Sequence, residues 1–68
     1  MQSDMKELDS LLDYTIRHNE EHAKELESLA RRARELGKER VDEEIERGVE
    51  QLNQANQSLK RALKQLRE

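Results

Sequence analysis

The stretch Arg31-Arg32-Ala33-Arg34-Glu35-Leu36-Gly37-Lys38-Glu39-Arg40-Val41-Asp42 decides the fold. Three arginines gather where the negative end of a helix dipole favours cations. Gly37, one of two glycines in the chain, stands where a helix-terminating residue must adopt left-handed backbone, which glycine does at least cost. Asp42, Glu43 and Glu44 then put acid at the start of a new helix. The segment reads as a helix, a stop and a second helix rather than one rod.

Outward from Gly37 the apolar residues recur at spacings of three and four. On the N-terminal side the series is Met5, Leu8, Leu12, Thr15, Asn19, His22, Leu26, Leu29, Ala33, Leu36. On the C-terminal side it is Val41, Ile45, Gly48, Leu52, Ala55, Leu59, Ala62, Leu66. This heptad spacing is that of coiled-coil helices. Proline is absent and Glu, Leu, Lys, Arg, Ala and Gln dominate, all good helix formers. Asp4 with Glu7 reads as an N-terminal capping box, so helix 1 is expected at about 4–36 and helix 2 at about 39–67. The fold class is all-α, an antiparallel two-helix hairpin forming one domain over residues 1–68. Charge supports the reversal: Asp4, Glu7, Asp9 and Asp13 come beside Lys60, Arg61, Lys64 and Arg67, and the arginines at 31–34 come beside the acidic start of helix 2.

The apolar stripe is wider than one seam. Leu11, Ile16, Ala23 and Ala30 flank it on helix 1, and Val49, Asn56 and Leu63 on helix 2. A 68-residue chain without cysteine has a small core and no disulfide to staple it, so oligomerisation is the common remedy. The flanking residues Leu11, Ile16, Ala23, Ala30, Val49 and Leu63 are therefore expected at an oligomer interface, with two hairpins forming a homodimeric four-helix bundle.

Polar residues interrupt the stripe at mid-length. With a turn at Gly37, residue numbers facing each other sum to about 77, which places Asn19 and His22 near Asn56. One reading is a buried polar layer of Asn19, His22 and Asn56 that fixes register and partner number. The other is a transition-metal site: His18 and His22, spaced i, i+4, share a helix side, and Glu25 follows one turn later. Nickel or zinc would suit such imidazoles. The His-Glu-x-x-His zinc motif and the paired Glu-x-x-His motifs of di-iron bundles are both missing. His18 also reads as a solvated edge residue.

The residues Leu11-Leu12-x-Tyr14-x-Ile16-x-His18-Asn19-x-Glu21-His22-Ala23, then Gly37, Val41 and Leu52-x-x-Ala55-Asn56-x-x-Leu59-x-x-Ala62-Leu63, resemble an uncharacterised prokaryotic two-helix domain. Its first helix carries "HN-x-x-HA" and its second "AN-x-x-L-x-x-AL". The resemblance covers most of the chain. It implies a domain that stands alone or is attached to small nickel-binding accessory proteins of the carbon monoxide dehydrogenase type. This chain departs from that context in carrying neither an attached nickel module nor a histidine-rich segment.

Other classes find less support. Ser10, Ser28 and Ser58 lack a nucleophile context, there is no Gly-rich phosphate loop, and Tyr14 is the single aromatic residue, so no enzyme is expected. A net charge of −3 argues against nucleic acid, and Arg31, Arg32 and Arg34 read as a helix C-terminus. No apolar run spans a membrane and no signal peptide precedes the first helix, so a cytoplasmic location is expected. The functional expectation is a non-enzymatic self-assembly or protein-interaction module, with a metal-binding accessory protein as the alternative.

Overall fold

The computed structural model describes residues 2–68. Helix α1 runs Gln2–Glu35 and helix α2 runs Glu39–Arg67, giving an antiparallel hairpin with Cα extents of 53 × 14 × 11 Å. α2 starts and ends where the sequence placed it. α1 begins two residues ahead of the expected Asp4 cap, so Asp4 lies inside the first turn, where its charge still favours the helix dipole.

The reversal is built as expected. Gly37 takes φ +75°, the left-handed region. The Lys38 N–H donates to Ala33 O at 2.8 Å, and the Gly37 N–H donates to Arg34 O at 3.0 Å. Together they close the last open carbonyls of α1 in a Schellman arrangement. α2 then starts from Lys38 without a side-chain cap.

The face each helix turns inward differs from the sequence reading. Ile16, Ala23, Ala30 and Ala33 of α1 are buried against Val49, Asn56 and Leu63 of α2. Ile16, Ala23, Ala30, Val49 and Leu63, expected at an oligomer interface, thus form the seam within one chain. Leu11 alone of that set is exposed. Conversely, Met5, Leu8, His22, Leu29, Leu36 and Val41, expected in the seam, face outward, while Leu12, Asn19, Leu26, Ile45, Leu52, Leu59 and Leu66 straddle the two faces and are half-buried.

Two physical causes select this rotation. Alanines at 23, 30 and 33 let the helix backbones approach closely, which larger leucines would prevent. The polar flank also closes only this way. Arg34 donates from Nε to Asp42 Oδ2 at 2.8 Å and from an η nitrogen to Glu46 at 3.1 Å. Lys60 pairs with Glu20 at 3.2 Å, and Arg67 forms a two-pronged pair with Asp9 at 2.8 and 3.0 Å. The end-to-end charge pairing read from the sequence is therefore met by Asp9–Arg67 and Arg34–Asp42. Asp42 is buried in the seam, and its Oδ1 has no hydrogen-bond partner.

The core this leaves is thin. Among the described residues six apolar side chains are buried, and three are alanine, so each removes little surface from water.

Candidate functional site

The seam has two unlike edges. One carries the ion pairs Arg34–Glu46, Glu20–Lys60 and Asp9–Arg67. The other is bordered by the heptad series of both helices, eighteen positions from Met5 to Leu36 and from Val41 to Leu66, of which nine are exposed, eight are half-buried and Ala33 is buried in the seam. None of them is Asp, Glu, Lys or Arg, in a chain where those residues make up 43%. The ion pairs place both series on the same side of the hairpin, because each pair ties together the opposite flanks of the two helices. Of the large apolar members, Met5, Leu8 and Leu29 of α1 and Leu36 just after it are each at least half exposed, Val41 of α2 is close to that, and Leu11 of α1, beside the series, is also more than half exposed.

Three positions in the series are polar and able to hydrogen-bond, and each is already partnered inside the chain. The Thr15 hydroxyl donates to Leu11 O at 2.8 Å. Asn19 Nδ2 donates to Asn56 Oδ1 at 3.1 Å, and Asn56 Nδ2 donates to Ile16 O at 3.1 Å. His22 Nε2 lies 2.9 Å from His18 Nε2, one nitrogen donating and the other accepting. Polar groups bonded in this way can be covered without the penalty of an unsatisfied donor.

Of the expected polar layer, Asn19 and Asn56 meet inside the seam, and His22 does not join them. It lies one heptad position further round the helix, where its side chain keeps about half of its exposure. There it forms a second polar cluster with His18 and Glu25. The two rings are edge-on, with centroids 4.3 Å apart, and His22 Nδ1 is 3.4 Å from Glu25 Oε2. Tyr14 stacks on His18 at 5.5 Å and 13° between planes. Among the described residues, no three or more His, Asp or Glu side chains of this one chain are grouped to hold a metal ion.

A carboxylate–guanidinium pair marks each end of the hairpin. The Arg67 guanidinium holds the Asp9 carboxyl below its ordinary value of 3.8, and the Arg67 and Arg34 guanidiniums are held above theirs by Asp9 and Asp42. Arg34 of the basic cluster is thereby engaged within the hairpin. No helix among the described residues is long and apolar enough to cross a membrane.

These features define a helical hairpin with one charged and one uncharged side. The chain belongs to the family described as a domain of unknown function, DUF8180, whose model matches residues 8–66. That membership is consistent with the expectation of an uncharacterised domain. No curated protein matches the chain, and no solved structure matches it.

Proposed function

We propose that this chain is a non-enzymatic helical assembly module whose uncharged side closes on a second copy to give a homodimeric four-helix bundle. The observation that carries the reading is a heptad series of eighteen positions without a fixed charge, nine of them exposed, with its three hydrogen-bonding polar members already partnered within the chain. A twofold interface sets the same patch against itself. The heptad positions themselves bring no like charges together when they meet their own copy.

Size and energy both suit a dimer. The face is 53 Å long and two helices, roughly 20 Å, wide, so pairing two copies covers on the order of 2,000 Å² in total, within the range of stable interfaces. Burying the exposed half of six large side chains on each copy recovers on the order of 10 kcal/mol. That is comparable with the ~4–15 kcal/mol lost on association.

Sedimentation equilibrium tests this reading. The wild-type chain is expected at twice its 8.1 kDa mass. Leu29→Glu puts a charge on the outward face at a position already exposed, so it should return the protein to a folded single chain. A wild-type protein that stays at 8.1 kDa at several hundred micromolar overturns self-assembly and leaves the face to a helix of another protein. A second reading, transition-metal binding through His18 and His22, is favoured by the 2.9 Å approach of the two imidazole nitrogens.

A further inference from the structure

We propose that His18 and His22 form half of a divalent transition-metal site that a second copy completes, with one ion held by four imidazoles on the dimer's twofold axis. This inference rests on the dimer reading and assigns a ligand to its centre.

Within one chain the two nitrogens already stand at a ligating separation. Two imidazole nitrogens bound to one ion at ~2.0–2.1 Å stand ~2.9 Å apart at a right angle and ~3.4 Å apart at a tetrahedral angle. The Nε2 atoms of His18 and His22 are 2.9 Å apart, and both side chains are exposed. Their orientation is supported from behind. Glu25 lies beside Nδ1 of His22, where a carboxylate keeps the proton on Nδ1 and leaves the Nε2 lone pair free for a metal. The Tyr14 ring lies flat against His18. Imidazole donors select the zinc, copper, nickel and cobalt class over calcium or magnesium.

Two ligands do not complete a coordination shell, and among the described residues no third His, Asp or Glu is grouped with them to hold an ion. Symmetry supplies the remainder. The outward series on α1 runs from Met5 to Leu36, so its midpoint falls between residues 20 and 21, and the midpoint of His18 and His22 is residue 20. Four of the six most exposed aliphatic and methionine side chains, Met5, Leu8, Leu11 and Leu29, lie on α1 and Leu36 follows it directly, which favours α1 facing its own copy. An antiparallel α1–α1 contact centred on the stripe sets His18 of each copy opposite His22 of the other. Four imidazoles then converge where the axis crosses.

The test uses the full chain, first in EDTA and then titrated with cobalt(II), with zinc(II) as competitor. Sedimentation equilibrium gives mass, and visible absorption reports coordination. The expected result is a dimer in EDTA, a cobalt endpoint at one ion per two chains, displacement by zinc, and a metal-dependent rise in Tm. His18→Ala and His22→Ala, both at exposed positions, should keep helical circular dichroism while losing the cobalt spectrum and the metal-dependent rise in Tm. Glu25→Gln should keep the stoichiometry and weaken binding by ~10-fold or more. A dimer with no binding tighter than ~100 μM, with one ion per chain, or with binding unchanged in both alanine variants overturns the shared site and leaves the assembly reading standing. A monomer with and without metal overturns both. A monomer that dimerises only on adding metal supports the shared site and overturns the apolar face as sufficient for assembly.

Discussion

At the residue scale, the Asn19–Asn56 pair shows how a polar group is retained in a thin seam. Asn56 is buried, and its amide is used at both ends, accepting from Asn19 and donating to Ile16 O. Asn56→Ala removes both bonds and leaves a small void, so it is expected to lower the unfolding free energy by ~1–3 kcal/mol in urea titrations. Replacing both amides, Asn19→Leu with Asn56→Leu, removes the polar demand from both sides. The double variant is expected to melt higher than Asn56→Ala but to lose unique pairing, seen as more than one set of backbone amide resonances. At the hairpin's open end, Asp9 titrates below its ordinary 3.8 because Arg67 holds its charged form. The stability this gives is complete above the ordinary carboxylate value and is lost as pH falls through the lowered one. The Tm difference between wild type and Asp9→Asn should therefore be full at neutral pH and close below the ordinary value; a difference that grows on acidification contradicts the pair. The amide pairing was legible because Gly37 sets the sum of facing residues. The His18–His22–Glu25 cluster was legible as a spacing. Its outward position was not, because that depends on the rotation of the whole helix.

At the scale of the element, α1 carries an apolar sector wide enough to offer two adjacent stripes to α2. Sequence reading took the stripe with the larger side chains as the seam. The structure turns α1 by roughly 50° from that expectation, and the alanine-rich stripe goes inward. The signal for this lay in two places read separately: Ala23 and Ala30 on the flank, and the charges at Asp9, Glu20, Arg34, Asp42, Lys60 and Arg67. Only one rotation satisfies both. Ala30, at 1% exposure, measures how close the approach is. Ala30→Leu should cost ~1–3 kcal/mol by wedging the helices apart, whereas a helix turned the other way would accept it on the surface. The helix ends were more legible, because Gly37 leaves little choice. A Cβ at Gly37 would meet nothing within 4 Å, so Gly37→Ala is charged only for its left-handed backbone, about 1–2 kcal/mol, measurable by thermal melting.

At the scale of the whole molecule, the hairpin divides into a side closed by ion pairs and a side with no fixed charge, and the second sets its expected behaviour. The intrachain seam, half of it alanine, gives a 68-residue chain little to hold it. The outward series supplies the missing burial once two copies meet. Isotope-filtered NOE spectroscopy on a one-to-one mixture of labelled and unlabelled chains reads directly which face meets the second copy. Intermolecular contacts are expected from the methyl groups of Leu8, Leu29, Leu36 and Val41, with only intramolecular ones at Ile16, Val49 and Leu63. Intermolecular contacts at Ile16, Val49 and Leu63, or none at the outward leucines at high concentration, would contradict the uncharged side as the assembly face.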